Sequence, residues 1–226
     1  MNWLYLALNL GSLSIPLWYS FNPKMRFIKH WKVILVATAL VALLFLVWDG
    51  LFTAHGIWGF NPAYFLGPKI WGMPIEEWLF FFCIPYASLF IHYSLEYFRP
   101  QWLLSLAVVR GILIAMILLS AVLLLFFYDR WYTLVDFLFL AVAAVLGLLY
   151  GQSVLRRFFI AFPIILIPFF LVNGVLTGTG LPEPVVWYND SENMGIRLGT
   201  IPVEDMAYAF SMLFFNLLLI ERWKKE

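Results

Sequence analysis

The chain has 226 residues, of which 64% are hydrophobic and only 12% are charged, and its formal net charge is +1. A soluble domain is typically about half apolar and about a quarter charged, so this composition indicates an integral membrane protein. The balanced charge excludes the basic surface that nucleic-acid binding needs, and the single cysteine, Cys83, excludes a disulfide framework and a cysteine-based metal site.

Several apolar segments are long enough for transmembrane helices, because a spanning helix needs about 20 apolar residues. Seven such segments lie, in chain order, at residues 2–20, 32–49, 75–97, 103–128, 132–150, 157–177 and 203–221. They predict an all-α integral membrane fold with seven transmembrane helices. We expect two parallel three-helix repeats, a first half at residues 1–100 and a second half at residues 131–226, joined by a linker helix at residues 101–130.

The charges between these segments predict the orientation of the chain. The loops on one side hold most of the cations, namely Lys24, Arg26, Lys29, Lys32, Arg99, Arg156, Arg157, Arg222, Lys224 and Lys225. The other side holds only Lys69, Arg130 and Arg197, together with most of the loop acids. The positive-inside rule then places the C-terminus in the cytoplasm and the N-terminus outside, in a bacterial inner membrane.

A short acidic motif occurs twice, each time where an apolar segment begins. Residues 73–77 read Met-Pro-Ile-Glu-Glu, and residues 201–205 read Ile-Pro-Val-Glu-Asp. Proline and acids are both favoured in the first turn of a helix, so helix capping is the alternative explanation for either motif alone. Carboxyl groups near hydrocarbon are costly and usually mark functional sites. The repetition therefore predicts catalytic acids, namely Glu76, Glu77, Glu204 and Asp205.

The residues that precede the two motifs also correspond. Asp49 is followed by Thr53, and Asn173 is followed in the same way by Thr177; each pair precedes a glycine-containing aromatic loop. Capping of the helix end is the alternative role for Asp49 and Asn173. Parallel repeats are related by a pseudo-two-fold axis along the membrane normal. We therefore expect the two acidic motifs to face each other across a central cavity, with Asp136 as a further candidate for its wall.

Neighbouring helix residues point about 100° apart, so at least one acid of each motif should face the interior of the bundle. Where acids meet in a pocket of low dielectric constant, one of them can remain protonated. A protonated acid beside an ionised one is a general acid–base pair. Aromatic side chains surround the first motif, and aromatic faces stabilise cations; contact with lipid or the membrane interface is the alternative role for most of them.

These residues resemble the membrane-embedded lycopene cyclase domain family, of the bacterial heterodimeric and fungal fused type. The resemblance rests on Trp48, Asp49, Thr53 and residues 56–61 and 74–81 in the first half, and on Asn173, Thr177 and residues 200–205 in the second. In that family two three-helix units act together, on separate chains or fused, so the resemblance implies that both units are fused here. The second half departs from the first after its acids, where residues 207–209 read Ala-Tyr-Ala and residues 79–81 read Leu-Phe-Phe.

The resemblance implies a carotenoid β-cyclase, which closes the ends of a linear carotenoid such as lycopene into β-ionone rings by redox-neutral acid catalysis. We expect Glu76 or Glu204 to donate the proton, and Glu77 and Asp205 to adjust the acidity of the donor or accept the proton back. The residues expected to bind the substrate are Trp48, Asp49, Thr53, Trp58, Asn61, Trp78, Phe81, Asn173 and Thr177. No cofactor and no metal ion are expected, and membrane lipid and other carotenoid enzymes are the further partners expected.

Three other functions are alternatives to this one. A small-molecule transporter with two parallel repeats and a linker helix is the main alternative, although transporters favour polar groups near the membrane midplane. A retinal protein would need a Schiff-base lysine in the last helix, and residues 203–221 contain no lysine. A purely structural membrane subunit is the third possibility, in which glutamate-to-glutamine changes would affect stability alone.

Overall fold

The computed structural model describes residues 1–224, and these residues are mainly helical. Its helices are α1 (Leu4–Ser20), α2 (Trp31–Ala54), α3 (Ile75–Phe98), α4 (Leu106–Phe126), α5 (Trp131–Leu146), α6 (Gln152–Leu176) and α7 (Glu204–Trp223). The seven predicted segments therefore correspond to helices, with boundaries that differ by a few residues. Lys225, which was counted among the inner-side charges, lies outside the described residues.

Four helical stretches of the described chain are long and apolar enough to cross a membrane. They are Phe27–Ala54, Ile75–Phe98, Leu106–Phe126 and Trp131–Leu176. The all-α, membrane-type fold agrees with the prediction. That all seven segments span the bilayer, and that the repeats run parallel, stay predictions.

The loop predicted between residues 150 and 157 is wrong, because α5 continues into α6 through a π-helical turn at Gly147–Gly151. The turn reverses the chain. Tyr132 at the start of α5 and Asn173 near the end of α6 both donate hydrogen bonds to Asp205. A straight α-helix joining them would be about 60 Å long, at about 1.5 Å per residue. The helices α5 and α6 therefore return to the same end of the molecule, where the candidate acids lie.

The two long loops contain short strands that hydropathy did not predict. These are β1 (Trp58–Phe60), β2 (Lys69–Ile70), β3 (Met73–Pro74), β4 (Val186–Tyr188), β5 (Arg197–Leu198) and β6 (Ile201–Pro202). The strands β2 and β3 form an antiparallel hairpin that leads directly into α3, and β5 and β6 form a matching hairpin just before α7. Each hairpin therefore fixes the point at which a helix bearing one acidic motif begins.

The strands β1 and β4 join the two halves of the chain. They pair antiparallel, with Trp58 opposite Tyr188, Gly59 opposite Trp187 and Phe60 opposite Val186. Suppose that residues 58–60 of the first half correspond to residues 186–188 of the second. Exchanging β1 for β4 then gives the same three residue pairs, so the pairing is symmetric. A local two-fold axis therefore passes through the central pair, between the two acidic motifs.

Gly59 is required at the centre of this strand pair. A Cβ atom added to Gly59 would lie 2.3 Å from Cζ2 and 2.6 Å from Cε2 of Trp187, closer than atoms can pack. We expect Gly59→Ala to separate β1 from β4 and to lower the free energy of unfolding by about 1–3 kcal/mol, the usual cost of overpacking. Thermal unfolding in detergent measures this loss. The double variant Gly59→Ala/Trp187→Ala removes the clash and should recover part of it, whereas an unchanged single variant would contradict the prediction.

A buried aromatic cluster underlies the strand pair. Phe45, Trp48, Trp58 and Tyr132 are its central members, and each is at most 5% exposed. Trp48 and Tyr132 lie near helix ends, where tryptophan and tyrosine commonly mark the membrane interface, but both point into the bundle. A second cluster, formed mainly by α4 to α7, packs the rest of the molecule.

Candidate active site

An acid cavity lies beneath β1 and β4, at the end of the molecule where both acidic motifs begin their helices. Its volume is about 70 Å³, and its walls carry three carboxyl groups, those of Asp49, Glu77 and Asp205. All three side chains are buried, with exposed fractions of 2%, 8% and 5%. The expectation that both motifs contribute to one central cavity therefore agrees with the structure.

The carboxyl group of the first half has a second carboxyl group beside it. Tyr5 on α1 donates a hydrogen bond to Oε2 of Glu77. The Asp49 carboxyl lies within hydrogen-bonding range of Glu77. Trp58 donates its indole N–H to Oδ1 of Asp49 at 2.5 Å, and Oδ2 of Asp49 has no partner among the N–H and O–H donors of residues 1–224. Two buried carboxyl groups in contact cannot both be ionised cheaply, so a shared proton stabilises this pair.

The carboxyl group of the second half is surrounded by donors instead. The Tyr132 hydroxyl donates to Oδ1 of Asp205 at 2.5 Å, and the Asn173 amide donates to Oδ2 at 2.6 Å. The Tyr188 hydroxyl from β4 donates to Oδ2 at 3.2 Å. Desolvation and the adjacent Asp205 carboxylate raise the pKa of Tyr188 well above its ordinary value, so its hydroxyl keeps its proton. Hydrogen bonds from three donors favour an ionised carboxylate.

Glu76 and Glu204 do not line the acid cavity. Each is completely buried and accepts a hydrogen bond from the backbone of the loop that precedes its helix. Oε1 of Glu76 accepts from the Leu66 amide at 2.8 Å, and Oε1 of Glu204 accepts from the Met194 amide at 2.7 Å. Thr133 on α5 also donates to Oε1 of Glu204, at 2.7 Å. In this arrangement the first acid of each motif positions a loop, and the second acid faces the cavity.

This division of labour predicts different results for two substitutions of Glu204. Glu204→Ala removes the acceptor of two buried hydrogen bonds, and the stranded donors cost about 1–3 kcal/mol each. Glu204→Gln keeps an oxygen for the same donors. We therefore expect a clear fall in thermal stability for Glu204→Ala and a small one for Glu204→Gln, measured by unfolding in detergent. Equal stability of both variants and the wild type would contradict the positioning role.

The other predicted substrate-binding residues are divided between the cavity and its surroundings. Asp49, Trp58 and Asn173 line the cavity. The remaining ones lie behind or above its wall, in contact with other protein groups, and their contact with a substrate stays a prediction; they are Trp48, Thr53, Asn61, Trp78, Phe81 and Thr177. For example, Asn61 donates to Glu183 at the exposed surface at 2.8 Å, and Thr177 donates to the backbone of Asn173 at 2.9 Å.

Four tyrosines of the cavity wall were not predicted as site residues. They are Tyr5, Tyr132, Tyr188 and Tyr208. Tyr208 packs against aromatic neighbours, with its ring centroid 4.9 Å from that of Trp48 and the two ring planes tilted by 48°. Tyr5 and Tyr132 each donate to the second acid of a motif, 72 and 73 residues further along the chain. This nearly equal spacing is the sequence signal that could have identified them.

Asp136 was a further candidate for the cavity wall, and it lies behind that wall. It is completely buried in α5, and neither of its carboxyl oxygens has a hydrogen-bond partner among the residues described. When Tyr5 on α1 is aligned with Tyr132 on α5, Asp136 corresponds to Asn9. Asn9 donates to the backbone oxygen of Glu76 at 2.7 Å. No group of three or more histidine, cysteine, aspartate or glutamate side chains within residues 1–224 is arranged to hold a metal ion.

Comparison with known proteins agrees with the repeat in the sequence. The family model described as lycopene cyclase matches residues 2–98 and residues 129–223. The matched segments cover most of the chain and leave out only the region of α4 and the extreme ends. A search of curated proteins and a search of solved structures each found no match.

Proposed function

The chain belongs to the lycopene cyclase family, and we propose that it is a β-cyclase which isomerises the ends of a linear carotenoid in the acid cavity. Membership of the family implies a membrane enzyme of carotenoid cyclisation with a carotenoid substrate. The observation that supports the finer proposal is the chemical difference between the two buried acids. Glu77 contacts another carboxyl group, whereas Asp205 accepts hydrogen bonds from three donors.

The reaction begins with a proton from the pair formed by Asp49 and Glu77. The proton adds to the terminal carbon–carbon double bond of the substrate and leaves a tertiary carbocation. The electrons of a neighbouring double bond then form the new ring bond, which moves the positive charge into the ring. In this proposal the donor is Glu77, and not Glu76 or Glu204 as the sequence suggested, because only the second acid of each motif reaches the cavity.

Loss of a proton from the carbon next to the ring cation completes the β-ionone ring. Asp205, which accepts hydrogen bonds from three donors, takes up this proton. One proton is taken up and one is released, so the reaction is a redox-neutral isomerisation. Tyr188 donates to Asp205 and, like Glu77, lines the cavity, so in this proposal its hydroxyl returns the proton to the donor pair.

The aromatic walls of the cavity suit the cation. Trp58, Tyr132 and Tyr188 pack against one another, with the ring centroids of Trp58 and Tyr132 5.2 Å apart. Aromatic faces stabilise a positive charge without forming a bond to it. The strands β1 and β4 cover the cavity on its outer side, which keeps out the water that would capture a carbocation.

The first experiment is pigment analysis. The chain is expressed in a bacterium that accumulates lycopene, and the extracted carotenoids are separated by chromatography. Conversion to products with one or two β-ionone rings would support the proposal, and their ratio gives the number of ends that react. Unchanged lycopene, with the protein present in the membrane, would count against it.

The acid pair makes a specific prediction for Asp49. Asp49→Asn gives the first half the amide that Asn173 supplies in the second half, and so removes the second carboxyl group beside Glu77. The proton of the pair then has one carboxyl group to occupy instead of two. We expect ring formation to fall by about tenfold to a hundredfold. Activity of Asp49→Asn equal to that of the wild type at every pH would exclude a shared proton.

We also propose the arrangement in the membrane. All seven helices span a bacterial inner membrane, the two repeats run parallel, and the acid cavity lies near the outer face. The charge of the loops and the local two-fold register of β1 and β4 support this arrangement. Nothing in the described residues favours the transporter, and contact with other carotenoid enzymes stays a prediction.

A further inference from the structure

A lateral groove lies beside the acid cavity at the side of the bundle. It lies between α1, α3 and α6, has a volume of about 470 Å³, and is lined mainly by apolar side chains. Its wall on α1 includes the small residues Ala7, Gly11 and Ser12. A Cβ atom added to Gly11 would have no neighbour within 4 Å, so the space beside it is empty.

The groove and the acid cavity adjoin each other and share part of their walls. Residues of α3 and α6 line both spaces; they are Phe80, Ile84, Ser88, Ile165, Phe169 and Asn173. Asn173 donates to Asp205 in the cavity, so the groove begins beside a candidate catalytic acid. An apolar molecule whose end lies between Glu77 and Asp205 would leave the cavity along this groove.

Within residues 1–224, aromatic side chains fill the place in the second half that is equivalent to the groove. When Tyr5 is aligned with Tyr132, Ser12 on α1 corresponds to Phe139 on α5. When Glu77 is aligned with Asp205, Ala87 on α3 corresponds to Phe215 on α7. The ring of Phe139 lies 5.4 Å from the ring of Phe45 and 6.3 Å from that of Phe215.

The same side chain, Phe139, also packs against the ring of Trp48 with centroids 5.0 Å apart. Asp49 and Asn173 align α2 with α6, and Trp48 then takes the place of Val172 in the groove. The groove residues Ser12, Ala87 and Val172 have small or aliphatic side chains. Their counterparts on the opposite side of the bundle, Phe139, Phe215 and Trp48, are aromatic. The pseudo-symmetric bundle is open on one side and closed on the other.

We propose that the lateral groove holds the polyene chain of the substrate while one end group reacts in the acid cavity. This inference rests on the proposed function. A long, flat, apolar chain matches a groove that adjoins the cavity and is lined by no charged side chain. With one groove, the enzyme binds one substrate molecule in one direction and processes its two ends in separate binding events.

The test fills the groove without touching the acids. Gly11→Phe places a ring in the empty space, and Gly111→Phe on α4 is the matched control, because its added Cβ also has no neighbour within 4 Å and its site is exposed on the far side. Each variant is assayed with lycopene and with a short acyclic isoprenoid that has the same end group but lacks the long polyene. We expect Gly11→Phe to lower lycopene conversion about tenfold or more, while conversion of the short substrate stays within about twofold of wild type.

A binding measurement separates this inference from the proposed function. An inactive Glu77→Gln protein should retain bound lycopene on purification, seen by its absorption spectrum, and adding Gly11→Phe should remove that pigment. Wild-type behaviour of Gly11→Phe in both assays would overturn the groove assignment and leave the cyclase proposal intact. An equal loss of conversion for both substrates in Gly11→Phe would also overturn it. So would a Glu77→Gln/Gly11→Phe protein that keeps its pigment but loses bound phospholipid, because the groove would then hold lipid and not the polyene. Failure of the wild type to convert either substrate, with lycopene still bound, would overturn the cyclase proposal alone.

Discussion

Replacing Glu77 by glutamine is expected to abolish ring formation while the protein still folds and inserts. Glutamine keeps an oxygen that can accept the hydrogen bond from Tyr5, but it has no acidic proton to give. Loss of a general acid typically lowers the rate by about 10² to 10⁴-fold. Pigment analysis of lycopene-accumulating cells, with the protein quantified in the membrane fraction, measures the effect.

The neighbouring acid provides the control for this substitution. Glu76→Gln changes the same chemical group one residue earlier, but Glu76 bonds to the Leu66 amide and lies outside the cavity. We expect Glu76→Gln to retain most of its activity. If Glu76→Gln abolished cyclisation and Glu77→Gln did not, the donor assigned from the sequence would be correct and the one proposed from the geometry would be wrong.

Replacing Asp205 by asparagine is expected to cause the second large loss, of about a hundredfold or more, because the ring cation then has no carboxylate to accept its proton. The substitution should also change which ring isomers form in the activity that remains. When proton loss is no longer directed to one carbon, the residual rings should be a mixture of double-bond isomers, which chromatography and nuclear magnetic resonance distinguish. A variant that is merely unstable would make less of a single product.

Glu204→Gln is the control here, since it alters the adjacent acid of the same motif and keeps the acceptor for Met194 and Thr133. Its product should be the single β-ring isomer in nearly normal amount. A mixture of isomers from Glu204→Gln, with a single isomer from Asp205→Asn, would transfer the role of base to Glu204.

The sequence predicted the positions of the helices well, because apolar segments of about 20 residues have few alternatives in a membrane. It failed at residues 147–151, where the chain turns without leaving a helical conformation. Hydropathy records how apolar a segment is and says nothing about a change in helical pitch. The arginines of this region suggested a loop, whereas Arg156 and Arg157 lie inside α6.

The candidate site was predicted as a set of acids, but not which acid of each pair points inward. That choice depends on where each helix begins, and the start is set by β3 and β6, two-residue strands too short to recognise from sequence alone. One residue of difference rotates a side chain by about 100° on a helix. A shift of one residue in the start of α3 would therefore exchange the roles of Glu76 and Glu77, and hydrophobic periodicity does not determine that start.

The tyrosines were missed for a different reason. Tyrosine near the end of an apolar helix is the usual residue of a membrane interface, and Tyr132 fits that description in sequence. Only the fold shows that its hydroxyl meets a carboxylate 73 residues away. Partners that distant in sequence are found by matching the two halves, and that comparison identifies Tyr5 from Tyr132.

The pairing of β1 with β4 bears on whether the two halves need a covalent connection. Each half supplies its own acid with its own tyrosine, Tyr5 with Glu77 and Tyr132 with Asp205. The strand register and the aromatic packing then join the halves directly, without α4. We therefore expect α4 to act mainly as a tether that raises the local concentration of one half near the other. A chain cut on either side of α4 would still hold every group of the acid cavity, and the two fragments would find each other by diffusion in the plane of the bilayer.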